Sequence, residues 1–235
     1  MSSTLVSLID HAVLQPTQTE QDVREACGLC RELKTASICV KPSFVAQAAT
    51  LLADSPVLVS TVIGFPHGGT TTATKVAETR QSCAEGAKEV DMVVNLGKVL
   101  EQQWDYVEND IRNVVDTARE AGAITKVIFE TGLLPSDDLK IRLCEISESV
   151  GAAFVKTSTG FGFVKNSLGQ MESTGATEHD IRLMRTHCSE TVGVKASGGI
   201  RTYTDAEKFV ALGATRLGTS GTAAIAAGEA SHEAY

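Results

Sequence analysis

The stretch Thr125-Lys-Val-Ile-Phe129, followed by Ser136-Asp-Asp-Leu-Lys-Ile-Arg-Leu-Cys-Glu-Ile-Ser-Glu-Ser-Val150 and then Phe154-Val-Lys-Thr157, decides how the chain is read. A short β-branched run precedes a longer amphipathic stretch, and a second short run follows it. The pattern is that of a strand, a crossover helix and a second, parallel strand. The same alternation continues in both directions. Strand candidates are Leu8–Asp10, Ser37–Val40, Val57–Ile63, Glu89–Val94, Thr125–Phe129, Phe154–Thr157, Val192–Ala196 and Thr215–Leu217. Helical patterns lie at Glu20–Leu33, Phe44–Leu52, Thr74–Glu85, Val99–Ala121, Ser136–Val150, Glu178–Cys188 and Asp205–Leu212. No Pro/Ser/Gly-rich linker or shift in composition divides the 235 residues. These features predict one α/β domain over residues 1–235, a TIM (β/α)8 barrel. A doubly wound sheet shares the alternation, but neither GxGxxG after the first strand nor GxxxxGK[ST] occurs.

Hydrophobic residues make up 43% and charged residues 21%, which is core-forming material and no case for disorder. Twenty-one basic against 29 acidic residues give a formal charge of −8, and the isoelectric point is about 5.2. That balance argues against nucleic acid or an anionic membrane as a partner. No apolar run reaches a membrane span, and no basic residue precedes Arg24, so no secretory signal is expected. Six cysteines then read as reduced thiols of a cytoplasmic protein. Cys27-Gly-Leu-Cys30 is a lone CxxC within a helical pattern and lacks the second pair that a zinc site needs. The five histidines show no HxH or HExxH spacing.

Side chains alternate across a strand, so parity identifies companions. Asp91 shares a face with Val93, Lys126 with Ile128, Lys156 with Phe154 and Ser158, and Lys195 with Ser197. If all four charged residues point inward, three lysines and a carboxylate meet in the barrel centre. A lysine in an apolar strand is costly unless it is paired or neutral, and a second ammonium beside it favours release of a proton. The free amine is then a nucleophile towards a carbonyl and forms a Schiff base. Asp91 would balance one of the remaining charges. The strands carrying Lys156 and Lys195 are consecutive candidates and are expected to be neighbours in the wall. The alternative for any single lysine is to point outward or to snorkel from a strand end.

Both lysine strands run into small polar residues and glycine: Phe154-Val-Lys-Thr-Ser-Thr-Gly160 and Val192-Gly-Val-Lys-Ala-Ser-Gly-Gly199. Gly218-Thr-Ser-Gly221 follows the eighth strand and precedes the helix-like Thr222–Ala227. Loops after strands seven and eight of such barrels frequently bind phosphate through backbone amides, although glycine also serves ordinary tight turns.

Together these motifs resemble the deoxyribose-phosphate aldolase family. The carrying segments are Glu89-Val-Asp-Met-Val-Val-Asn-Leu-Gly97, Lys126-Val-Ile-Phe-Glu-Thr-Gly132, Phe154-Val-Lys-Thr-Ser-Thr-Gly-Phe-Gly162, Val194-Lys-Ala-Ser-Gly-Gly-Ile-Arg-Thr202 and Arg216-Leu-Gly-Thr-Ser-Gly221. Ile9-Asp-His11, Ser37-Ile-Cys-Val40 and Val62-Ile-Gly-Phe-Pro66 extend the likeness over nearly the whole chain. The resemblance implies a class I aldolase, using no metal and no cofactor. It would cleave 2-deoxy-D-ribose 5-phosphate to acetaldehyde and D-glyceraldehyde 3-phosphate in deoxyribose phosphate catabolism. It further implies Lys156 as the Schiff-base lysine, Lys195 as its tuning partner and Asp91 as a proton-relay carboxylate. Gly160, Gly199, Ile200, Gly218 and Ser220 would hold the phosphate, and Asp10 and Lys126 would orient the central charges from behind. Expected partners are small phosphosugars and aldehydes, with a homodimer or higher homo-oligomer formed through apolar helix faces. Two alternatives stay open at this point: a lysine-dependent aldolase for another phosphorylated sugar, and a non-catalytic phosphosugar-binding barrel.

The chain departs from the family pattern at several places. Ala12 and Gln15 stand where many relatives carry threonine and lysine. Lys41 stands where asparagine or tyrosine is common, and is expected either to adjust substrate range at the mouth or to be solvated. Residues 163–174 read as a loop insertion on the catalytic face, either a lid or a tolerated surface loop. Residues 228–235 form a polar tail whose Tyr235 is a candidate for assisting proton transfer. Cys39 is expected near the pocket, exposed to aldehyde products.

Overall fold

The structure is a computed structural model that describes residues 5–165 and 168–228. Eight parallel strands close into a barrel in the order β1-β10-β9-β6-β5-β4-β3-β2. They are β1 (Ile9–Val13), β2 (Ser37–Val40), β3 (Leu58–Ile63), β4 (Glu89–Val93), β5 (Ile124–Ile128), β6 (Phe154–Lys156), β9 (Gly193–Ser197) and β10 (Arg216–Thr219). Two further short strands, β7 (Phe163–Lys165) and β8 (Met171–Ser173), form a separate antiparallel hairpin.

Alternation along each strand sorts apolar side chains outward and polar ones inward. Ile9, Val13, Ile38, Val40, Val90, Met92, Val127, Val155, Val194 and Leu217 are all fully or nearly fully buried in one cluster beneath the surrounding helices. Helix Glu20–Leu33 contributes Val23, Ala26, Cys27 and Cys30 to that shell. Burial pushes the two thiols up to about 11 and about 12 respectively, so this CxxC is a structural helix face. Outside the lumen, Lys75 and Asp110 form a buried ion pair of 2.5 Å between helices Thr72–Ala84 and Trp104–Glu120. The Lys75 ammonium also donates to the Val93 carbonyl at 2.8 Å, which fastens the upper end of β4.

Three local expectations need correction. The first strand starts later and runs to Val13, because the buried alternation continues past Asp10. The helix expected over Val99–Ala121 is two helices, Leu96–Leu100 and Trp104–Glu120, broken where Gln102 adopts a left-handed φ of 54°. The segment 163–174, expected as a loop insertion, carries two short strands. Phe163 pairs with Ser173 and Lys165 with Met171, in a hairpin whose strand residues are all exposed.

Candidate active site

Strand register brings the polar residues together. Asp91 is the cross-strand partner of Lys126, and Lys156 of Lys195. All four side chains are at most 1% exposed, so the inward orientation read from parity holds. Asp91 is the centre: Oδ1 accepts from Lys126 at 2.7 Å, and Oδ2 accepts from Lys156 at 2.8 Å and Lys195 at 2.7 Å. Burial by itself would raise the Asp91 carboxyl, but the three ammonium charges hold it well below the usual carboxylate range. Asp10 is governed the same way. Burial opposes ionisation, and Lys126, Lys195 and Arg216 overcome it and push the carboxyl down.

The lysines are not equivalent. Lys126 contacts Glu89 at 2.7 Å, Asp91 at 2.7 Å, Asp10 at 3.2 Å and the Ser60 hydroxyl at 3.1 Å. Burial disfavours its charge, yet Asp10, Asp91 and Glu89 together hold its ammonium well above the ordinary range. Lys195 bridges Asp10 at 2.5 Å and Asp91. Lys156 has one ion-pair partner among the described residues, an Asp91 oxygen it shares with Lys195. It is the central lysine with the fewest ion-pair partners, and it stands at the last position of β6, in register with Lys195 on β9.

Several residues of this network were not singled out from the sequence. Glu89 and Arg216 form the lumen floor: the guanidinium meets Glu89 at 2.8 Å and Asp10 at 2.6 Å, and stacks 4.9 Å from the Phe154 ring centroid. The Ser37 hydroxyl donates to Asp10 at 2.7 Å. Parity was the available signal, because Glu89 shares the Asp91 face and Arg216 the Gly218 face. Glu130, just beyond β5, is also buried and accepts from the Thr159 amide and hydroxyl and from Thr174 Oγ1. Burial pushes its carboxyl up, and it makes no ion pair among the described residues. The buried Ser158 hydroxyl, two residues past Lys156 on the same face, has no hydrogen-bond partner among the described residues.

The five candidate phosphate residues all lie at the ends of β6, β9 and β10 or in the loops beyond. Gly160 and Gly199 have left-handed φ angles of 84° and 78°. The Ile200 side chain is buried in the core, and its carbonyl accepts from the Thr219 hydroxyl at 2.7 Å. Gly218 lies within β10, and a Cβ there would stand 3.0 Å from Lys195 Cε, so its missing side chain makes room for that lysine. Gly175 packs so closely that a Cβ would meet the Gly198 carbonyl oxygen at 2.6 Å, which seats the end of the hairpin segment on the β9 loop.

Lys41 is half-buried rather than fully solvated. Its ammonium donates to the carbonyls of Gln15, Pro16 and Gln18 at 2.9, 3.2 and 2.9 Å and staples the loop after β1. Cys39 is 2% exposed beside Ala12, Leu14 and Val62, at an apolar wall completed by the edge-to-face pair Phe65–Phe161. Burial raises its thiol, which keeps it protonated. Tyr235, with residues 229–234, lies outside the described residues.

Residues 4–231 match the model of the DeoC/LacD family aldolases. A deoxyribose-phosphate aldolase of Bacillus cytotoxicus is 48% identical over 221 residues, 94% of either chain. One of Clostridium perfringens is 44% identical over 231 residues, 98% of either chain. Among solved structures, the tetrameric deoxyribose phosphate aldolase from Aeropyrum pernix is 30% identical, with a TM-score of 0.86 over 97% of this chain and 91% of that one.

Proposed function

On the premise that this chain belongs to the DeoC/LacD family of aldolases, we propose that Lys156 is the nucleophilic amine, with Asp91 and Lys195 moving protons beside it. The enzyme is a class I carbon–carbon lyase, and it cleaves 2-deoxy-D-ribose 5-phosphate reversibly to acetaldehyde and D-glyceraldehyde 3-phosphate. The observation that carries the residue roles is the convergence of three buried lysines on one carboxylate, with Lys156 the least partnered.

The Lys156 amine adds to the C1 aldehyde of the open-chain sugar, and loss of water from the carbinolamine gives an iminium. Removal of the C3 hydroxyl proton breaks the C2–C3 bond, and the electron pair passes to the iminium nitrogen. Asp91, within hydrogen-bond reach of both Lys156 and Lys195, handles that proton together with Lys195. The resulting enamine is protonated at carbon and hydrolysed, which releases acetaldehyde and restores the amine. Lys126 and Asp10 keep the carboxylate and ammonium groups in register. Backbone at Gly160, Gly199, Ile200, Gly218 and Ser220 receives the phosphate, whose binding positions the bond to be broken. The unpartnered Ser158 hydroxyl fits a substrate hydroxyl, which would satisfy a group costly to bury alone.

Reduction by borohydride in the presence of acetaldehyde, followed by peptide mass spectrometry, is expected to place an ethyl group on Lys156. Absence of an adduct on any lysine would favour a non-catalytic phosphosugar-binding barrel, and a panel of phosphorylated sugars tests the choice of substrate. A homo-oligomer is part of the proposal, supported by the tetrameric Aeropyrum relative and measurable by light scattering. A cytoplasmic location is proposed as well, in keeping with six free cysteines and no helix among the described residues long and apolar enough to cross a membrane.

A further inference from the structure

Glu130, buried just beyond β5, has a left-handed φ of 43°, a conformation costly for a residue with a side chain and kept only where the surroundings fix it. Its carboxyl is fixed from two other loops. Oε2 accepts from the Thr159 amide at 3.2 Å and from the Thr159 hydroxyl, and Oε1 accepts from the Thr174 hydroxyl at 3.3 Å. The Thr159 hydroxyl accepts in turn from the Phe161 amide at 3.0 Å, so both neighbours of Gly160 are tied to one carboxyl. Residues 174–176 carry the link onward. The Thr174 amide donates to the Gly162 carbonyl at 2.9 Å, and the Ala176 amide to the Gly198 carbonyl at 3.1 Å. Missing side chains permit the approach: a Cβ on Gly132 would stand 2.4 Å from Thr174 Cβ, and one on Gly162 would stand 2.6 Å from Thr174 Oγ1 and 2.7 Å from Glu130 Oε1. The segment is thereby pinned to the loops after β5, β6 and β9, whereas the hairpin strands before it are exposed.

Gly160 lies in the loop after β6, and Gly199 adjoins Gly198 in the loop after β9. Beyond the strand ends, the distance between these glycines is therefore set through Glu130 and Thr174. We propose that Glu130 and Thr174 are positioning residues for phosphate recognition: their clasp, with residues 174–176 as the crosspiece, holds the Gly160 and Gly199 loops at the spacing that one phosphate group needs. The proposal rests on the phosphate-binding reading of those loops. Binding energy gathered at a remote phosphate favours the phosphorylated sugar over its unphosphorylated counterpart, so the clasp acts on the choice between them.

The readout is the ratio of kcat/KM for 2-deoxy-D-ribose 5-phosphate to kcat/KM for 2-deoxy-D-ribose. Both sugars react at the same amine, so a change that acts only on the amine cancels in the ratio. Thr174→Val keeps the shape of the side chain, removes the hydroxyl and leaves the Glu130 carboxyl in place. It is expected to lower the ratio about fivefold, the weight of one ordinary hydrogen bond. Thr174→Ser, which retains the hydroxyl, is expected to keep the ratio. So is an enzyme in which a short glycine linker joins Gly162 to Thr174, because the clasp survives without the hairpin strands. A merely structural role would lower both kcat/KM values together, and an unmoved ratio in Thr174→Val overturns the proposal. An equal fall in Thr174→Ser or in the shortened enzyme overturns it as well. Should Thr174→Val not fold by circular dichroism, Glu130→Gln, which replaces an acceptor oxygen with a donor, decides on the same ratio. An unaltered enzyme with no preference for the phosphorylated sugar overturns the phosphate reading itself. A preference that persists undiminished in the variant overturns only the clasp.

Discussion

Replacing Lys156 with methionine deletes the proposed nucleophile while leaving Asp91 paired with Lys126 and Lys195. We therefore expect a folded protein, measured by its melting temperature, with turnover lost by at least about 10³-fold. Asp91→Asn is different in kind. It leaves three buried ammonium groups around a neutral amide, and is expected to lower both turnover and stability, the latter by about 3–5 kcal/mol in urea unfolding. At this scale the sequence was informative because chemistry and parity coincide: Asp91, Lys126, Lys156 and Lys195 are charged residues inside apolar strands. Glu89 and Arg216 were harder to see. They sit at the first positions of β4 and β10, where a charged residue reads equally well as a solvated strand end. Only the closed barrel shows that these ends meet beneath Lys126.

At the scale of elements, the helices that flank β4 hold the site through Lys75. Its contact with the Val93 carbonyl depends on Asp110, which the Thr72 hydroxyl also supports at 2.8 Å. Asp110→Ala strands a buried ammonium and is expected to cost about 3–5 kcal/mol of stability, read from chemical denaturation. The hairpin β7–β8 carries the opposite expectation. Phe163, Leu168 and Met171 are 50%, 79% and 61% exposed, so little burial is lost if the hairpin is shortened. Joining Gly162 to Thr174 through a short glycine linker should leave the melting temperature within a few degrees, because the Thr174–Glu130 contact is retained. The hairpin was illegible in sequence, since Phe163–Ser173 lacks an alternating pattern flanked by a characteristic two-residue turn. The break at Gln102 was equally hidden, as neither glycine nor proline marks it.

For the molecule as a whole, acid is the condition that separates the folded from the unfolded chain. His11, buried and joined to Thr222 Oγ1 at 2.8 Å, is pushed by burial from 6.5 down to about 4. Between those values the unfolded chain binds a proton that the folded one refuses, so stability rises with pH across that window. The change amounts to about 3 kcal/mol, and urea midpoints measured from pH 4 to 7 should show it and lose it in His11→Gln. Asp10 and Asp91 act lower on the scale. Their folded values are depressed, so their contribution is present above the unfolded value of 3.8 and disappears as the pH falls below it. Barrel closure has another consequence. Asp10 on β1 meets Lys195 on β9 and Arg216 on β10, so partners for one side chain arrive at nearly opposite times during synthesis. A nascent chain that has delivered Lys156 but not its last two barrel strands lacks Lys195 and Arg216, and with them the closed wall around the proposed nucleophile. On the proposed role of Lys156, chemical aggressiveness towards cellular aldehydes is expected only once translation has passed the final strand.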